Sequence, residues 1–358
     1  MQRHSRLLAE HLARRGDVEL IVLHPHRERV FDPSLRIVEV PVEPMDEKRL
    51  YLRELWRYSD RVAQALDRIQ PDVIMSQGFC VWKGAERFRG RTIVHPHGLE
   101  MFQGLTTMER LKGLPFRMAL RHMVRRSAVT ISLGGKLTGL LNKMVAGSKS
   151  RVVVLPNAVE VPPVPPSYPV EDLPVKILFV GRFAFNKGID LLLGVAKRLV
   201  AEGREGDFRF VLAGDGPERA NMEAEGVPTN VSLAGRVDDD RLMELYTECH
   251  ALVLPTRFEG MPTVVLEAMA RARPVFVTDV GASAELVSAR NGRLLPPGNA
   301  EALYRAFLEF AELDRSNREL LGAEGYRLAA DRFQWGAVSN EYFDLFWQVA
   351  EGERGEQK

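Results

Sequence analysis

The chain has 358 residues, beyond the usual reach of one hydrophobic core, and its 45% apolar and 27% charged residues are those of an ordinary soluble two-domain protein. No apolar run approaches the roughly 20 residues that span a bilayer, and the only cysteines, Cys80 and Cys249, lie in different halves, which rules out a disulfide framework, offers no metal-ligand spacing and fits a reducing, cytoplasmic setting. The net charge of +1 hides an asymmetry: residues 1–160 hold 27 Lys and Arg against 17 Asp and Glu (+10) and the remainder 22 against 31 (−9), so the first half either meets an anionic partner or attracts the second.

In chain order, residues 2–14 place Leu7, Leu8 and Leu12 on one helical face, and the apolar run Leu20–Leu23 has the form of a buried parallel strand. Further strands are expected at 37–40, 73–76, 92–95, 128–131 and 152–155, with helical stretches at 47–69 and 107–126 between them. This alternation implies a doubly wound sheet. Residues 161–174, with prolines at 162, 163, 165, 166 and 169, suit neither helix nor ladder and read as a stiff linker. Alternation resumes with strands at 175–180, 208–213, 231–233, 251–254 and 274–277 and helices at 188–202, 217–225, 238–247, 262–272 and 282–287; helices near 300–311, 316–331 and 335–351 close the chain. The expected organisation is a first Rossmann-like domain over 1–160, a second over 175–330, and a terminal helix within 331–358 that can pack back on the first. A cleft between two such domains, facing the carboxyl ends of their strands, is where a ligand is expected.

The strongest chemical signal is Thr256-Arg257-Phe258-Glu259-Gly260-Met261-Pro262-Thr263, after the strand 251–254 and opening a helix at Pro262. Free amides at that start offer an anion site, and Gly260 allows close backbone approach. Glu259 and Glu267 can accept from hydroxyls at two depths of one ligand, as a sugar and a ribose would present. Gly181-Arg182 and Lys187-Gly188 set two cations just past a strand end, Arg as a fork and Lys as a point charge for phosphate. Gly214-Asp215-Gly216-Pro217 reads first as a strand-to-helix turn. Asp238-Asp239-Asp240 suits a helix cap rather than a metal, and no G-x-G-x-x-G follows a strand, which disfavours a nicotinamide enzyme.

Together these segments resemble the family 4 retaining glycosyltransferases of the GT-B fold, over nearly the whole chain and most specifically in residues 175–300. The family's two glutamates, with seven residues between them, match Glu259 and Glu267, and its Arg and Lys match Arg182 and Lys187. Val280–Val287 before Asn291-Gly292, Leu155–Val159, and Val94-His95-Pro96-His97-Gly98 are similar to further family segments. The resemblance implies a UDP-, GDP- or ADP-sugar donor and a saccharide or lipid-linked acceptor, with no metal, cofactor or nucleic acid. It implies that Glu267 holds the ribose, that Glu259 faces the donor sugar, and that Arg182 and Lys187 neutralise the leaving diphosphate. Gly181, Gly260, Met261, Pro262 and Thr263 would complete the donor cradle, and His97 would lie near the sugar.

Family members begin with a strand and a Gly-Gly loop before a helix that resembles residues 1–4, so one strand of the first domain is expected to be absent from this chain. Residues 110–126 mix cations with large apolar side chains, in keeping with peripheral contact at an anionic inner membrane surface. A non-hydrolysing nucleotide-sugar epimerase and a non-catalytic sugar-nucleotide binder are the competing readings.

Overall fold

Among the described residues all the strand pairs of the computed structural model are parallel, the pairing that sheets covered by helices on both faces show. The structure describes residues 2–46, 50–104 and 106–356. Its contacts divide it into two units, Met1–Asn157 with Trp335–Lys358, and Ala158–Gln334.

The first unit opens with α1 (Gln2–Arg15), which buries Leu8, Ala9, Leu12 and Ala13. Strand β1 (Leu20–His24) pairs with β2 (Ile37–Pro41), and α2 (Tyr51–Ile69) follows. The helix expected over 47–69 thus begins at Tyr51; residues 47–49 lie outside the described residues. Next come β3 (Ile74–Gln77), β4 (Thr92–His95), α3 (Thr107–Lys112), α4 (Leu114–Val124), β5 (Val129–Ser132), α5 (Gly135–Val145) and β6 (Arg151–Val154). The single helix expected at 107–126 is broken in two at Gly113, where a Cβ would come within 2.5 Å of the Met101 carbonyl. The strands form two sheets, β1-β2 and β3-β4-β5-β6. Leu23 of β1 and Ile74 of β3 share one apolar cluster with Val62 and Leu66 of α2, yet no ladder joins β1 to β3 among the described residues.

The second unit alternates without interruption: β7 (Val175–Val180), α6 (Ile189–Ala201), β8 (Phe208–Ala213), α7 (Arg219–Ala224), β9 (Val231–Gly235), α8 (Asp239–Glu248), β10 (Ala251–Leu254), α9 (Thr263–Met269), β11 (Val275–Thr278), α10 (Ser283–Leu286), β12 (Gly292–Leu295), α11 (Ala300–Glu312) and α12 (Arg315–Arg332). Its sheet runs β12-β11-β10-β7-β8-β9. Strand order therefore reverses between β7 and β10, the switch point at which doubly wound sheets bind ligands beyond the carboxyl ends. Asp238 caps α8 by accepting from the Arg241 amide at 2.8 Å, as its position before a helix predicts.

The proline-rich segment belongs to the second unit rather than standing between the units. Lacking ladder partners, its carbonyls are held by side chains: the Tyr326 hydroxyl donates to Pro162 at 2.7 Å, and the buried Arg273 donates to Ser167 at 2.8 Å. After α12 the chain returns to the first unit as α13 (Trp335–Glu356), whose Trp335 stacks on His11 of α1 at 5.3 Å while Arg15 lies over Phe343 at 3.8 Å. No helix among the described residues is long and apolar enough to cross a membrane.

Candidate active site

Three loops of the second unit are tied together at the switch point. Gly188, ending the β7 loop, has φ +70°, and a Cβ there would fall 1.9 Å from the Pro255 carbonyl that opens the β10 loop. Only glycine permits that approach. Across the same seam the amide of Arg257 and the hydroxyl of the buried Thr256 both donate to the Asn186 carbonyl, at 2.8 and 3.0 Å. The Arg257 guanidinium clamps Asp190 with two bonds of 2.7 Å and covers the Phe185 ring. On the other flank the Ala282 amide, just past β11, donates to the Gly260 carbonyl at 2.8 Å. The segment Val280–Val287 singled out in the sequence is thus a brace for the Glu259-Gly260 turn.

Within this clasp Lys187 and Glu259 form an ion pair, both side chains partly buried. Arg182 leaves β7 two residues on, exposed and with no hydrogen bond or ion pair among the described residues. With Gly181 it lines an open depression of about 660 Å³, whose opposite wall is Gly214, Asp215, Gly216, Pro217 and Arg236. The turn at 214–217 is held there by two backbone bonds of 3.0 Å, from the Phe183 amide to the Asp215 carbonyl and from the Glu218 amide to the Phe183 carbonyl. It was read as architecture from the sequence, and it is also a wall of this depression. Arg236, just after β9, was not found by sequence reasoning; a lone arginine after a short strand carries no pattern. Its charge is shared with Asp215 at 3.7 Å, which leaves Arg182 as the uncommitted cation of the depression.

Glu267 sits deeper, on the buried helix α9, with 9% of its surface exposed. Its carboxylate accepts from the hydroxyl of the fully buried Tyr246 at 2.8 Å. Tyr246 is in turn fixed from behind, because Arg273 donates to its carbonyl at 3.0 Å. Tyr246 was also missed; in the sequence it is an aromatic residue on an apolar helical face, indistinguishable from core. Pro262 caps α9 instead of occupying its first turn, and the helix ends at Met269 rather than 272, because Ala272 turns into the left-handed region at φ +55°. Met261 is buried, so its backbone is what it can offer a ligand; Gly260 and Thr263 are half-exposed.

His97 stands in the first unit, after β4, in the left-handed conformation at φ +59°. Its amide donates to His95 Nδ1 at 3.1 Å, its ring stacks on His95 at 3.9 Å, and its Nε2 is hydrogen-bonded to Gln77. Burial, then the neighbouring His4, hold it down to about 3, so it is neutral at ordinary pH. The His4 ring lies 6.2 Å from it, and His4, His95, Trp335 and Tyr342 form a cluster with ring separations of 5.1 to 6.4 Å among themselves. His95 Nε2, Trp335 Nε1 and the Tyr342 hydroxyl are buried there without hydrogen-bond partners among the described residues.

Two Rossmann-like units with charged and hydroxyl-seeking groups at one switch point describe the GT-B class of fold. The chain matches sucrose-phosphate synthase from Thermosynechococcus elongatus over 97% of its length and 92% of that chain, with a TM-score of 0.79 and 18% identity. It matches HepE of Anabaena in complex with UDP-glucose over 99% and 95%, with a TM-score of 0.69 and 16% identity. Residues 1–161 match the family described as Glycosyltransferase Family 4, and residues 174–312 the one described as Glycosyl transferases group 1. The chain belongs to these group 1, family 4 glycosyltransferases. Alpha-D-kanosaminyltransferase of Streptomyces kanamyceticus is 28% identical over 187 residues, 51% of this chain and 47% of that protein, and the chain spans about half the length of the curated relatives it matches.

Proposed function

We propose that the chain transfers a sugar from a nucleoside diphosphate donor to an acceptor hydroxyl, with retention at the anomeric carbon and without a metal, in polysaccharide or glycolipid synthesis. The observation that carries the reading is the Lys187–Glu259 pair at the switch point beside the uncommitted Arg182. When the glycosidic C–O bond breaks, the diphosphate leaves with the electron pair and the sugar becomes oxocarbenium-like. Arg182 and Lys187 would stabilise the departing charge, each worth on the order of 2–4 kcal/mol of barrier by comparison with loss of one oxyanion-hole donor. Glu259 would face the sugar and Glu267 the ribose hydroxyls, with Gly181, Gly260, Met261, Pro262 and Thr263 shaping the cradle by backbone. His97 enters as a neutral hydrogen-bond partner for a sugar hydroxyl. The acceptor hydroxyl then attacks from the face the diphosphate left, losing its proton to the leaving group; no glutamate is assigned as a covalent nucleophile.

UDP-, GDP- and ADP-sugars are all admissible donors, and UDP-glucose is the first to test because HepE has been seen with it. A ligand that binds only the folded state raises the melting temperature by mass action. Thermal-shift screening of the three donor classes, followed by turnover of the labelled hit, is the test. Transfer with the donor's anomeric configuration kept supports the proposal. An isomerised sugar from donor alone would make the protein an epimerase, binding without turnover would make it a carrier, and either result ends the transfer reading. A lipid-linked acceptor would bring the protein to the inner face of a membrane, with residues 110–126 in contact.

A further inference from the structure

The elbow formed by α3 and α4 carries large apolar side chains that the core does not use. The inner face of α4 buries Ala119, Leu120, Met123 and Val124 in the cluster beneath it, whereas α3 has no buried residue at all. On the outer side Met108, Leu111, Leu114 and Met118 are exposed by 60%, 64%, 48% and 66%. Leu50 and Tyr51 at the start of α2 are exposed as well, and the Tyr51 ring lies 5.9 Å from Phe116 of α4, which joins them to the same patch. A six-residue helix gains little stability by itself. This one is held by local bonds: the reciprocal Thr106–Glu109 cap and Arg110 Nε donating to the Gly104 carbonyl at 3.1 Å.

Residues 106–126 hold six Lys and Arg against one Glu. Arg117 is committed to the Met101 carbonyl, but Lys112 and Arg121 are exposed and have no carboxylate partner among the described residues. An apolar ridge of flexible Leu and Met flanked by unpaired cations is complementary to a surface that is negative outside and hydrocarbon within. A ridge rather than a groove fits a fluid plane better than a shaped protein partner.

We propose that the α3–α4 elbow, with Leu50 and Tyr51, is a docking surface for an anionic lipid bilayer, in which Met108, Leu111, Leu114 and Met118 enter the interface and Lys112 and Arg121 meet headgroup anions. This deepens the proposed function and rests on it only for the lipid-linked acceptor; the surface lies wholly within the first unit.

The test is sedimentation of the full chain with vesicles of phosphatidylcholine, alone or mixed with phosphatidylglycerol, at low and high salt. The wild type should sediment with the anionic vesicles and be released by salt. Lys112→Ser with Arg121→Ser should lower partitioning about 30-fold, the loss of two cations near the surface, and Leu111→Ser with Met118→Ser by about tenfold or more. These side chains are exposed, so melting temperatures and the donor-induced thermal shift should stay at wild-type values, which separates this proposal from the transfer reading. Equal binding to neutral vesicles, no binding, or unchanged binding of both variants would overturn it. So would self-association or capture of a protein that the same substitutions abolish while vesicle binding persists.

Discussion

Tyr246→Phe removes one oxygen and leaves the ring. The ring is fully buried on α8 and its carbonyl remains held by Arg273, so the substitution strips Glu267 of its 2.8 Å hydroxyl donor without opening a large cavity. A hydrogen bond to a charged group contributes about 1.5–3 kcal/mol net. Part of that is expected as lost stability, about 1–2 kcal/mol in urea unfolding. The rest reports on orientation: a carboxylate free to turn away should weaken donor binding about tenfold, or 1.4 kcal/mol. In the proposed ribose role of Glu267 its contacts would be the same in the ground and transition states, so the donor KM should rise while kcat hardly changes. Donor titration by calorimetry and steady-state kinetics measure both, with Glu267→Gln as the companion. If Tyr246→Phe binds donor as wild type does while Glu267→Gln is weakened, the tyrosine does not orient the carboxylate. If neither moves, Glu267 is not a donor ligand.

Gly188→Ala should destabilise the second unit by about 3 kcal/mol or more, since the new Cβ adds strain at positive φ to a clash with the Pro255 carbonyl; a wild-type urea midpoint would refute the clasp. Glu259→Gln leaves Lys187 without its counter-charge, so a nucleoside diphosphate should bind several-fold more tightly while sugar transfer falls on the order of 100-fold; parallel loss of both would place Glu259 outside this role. Burial holds His4 down to about 4, and burial with the neighbouring His4 holds His97 down to about 3. The unfolded chain takes up these protons near pH 6.5 and the folded one does not, so stability is full above that pH and falls below it, by about 2 kcal/mol per histidine at pH 5. Urea unfolding that is flat between pH 7 and 5 would contradict it.

The second unit was legible because its strands are short apolar runs set off by glycine and proline, and its helices carry caps such as Asp238. Glu259, Lys187 and Arg182 stood out for a related reason: each lies in a loop that follows a strand, where a side chain faces either ligand or solvent. What the sequence concealed was what depends on packing across distance. Tyr246 and Arg236 reach the site only because β9, β10 and α8 converge, and a tyrosine twenty-one residues from its glutamate partner leaves no local signature. The break at Gly113 was hidden as well, since the helical period runs through it; the local mark is Pro115, which has no amide hydrogen to give the Leu111 carbonyl and stands in the first turn of α4. Strand β12 and helix α5 were passed over because Gly292-Arg293-Leu294-Leu295 holds no continuous apolar run and Gly135–Val145 opens on a glycine.

The electrostatics of the clasp follow from the same topology. Parallel strands deliver three loops to one edge of the sheet, and their backbone bonds fix Lys187 against Glu259 before any ligand arrives. The pair is neutral as a unit, and within the depression Asp215 offsets Arg236, which leaves Arg182 as its uncommitted guanidinium. Partly buried like charges would cost stability unless compensated. On the proposed function, an arriving diphosphate would take Arg182 at once and would have to draw Lys187 away from Glu259 to use it, leaving the carboxylate free to accept a hydrogen bond from a sugar hydroxyl. Binding of the anionic and the sugar halves of one donor would thereby be coupled through one ion pair, and a ligand carrying only one half should gain correspondingly less from the site.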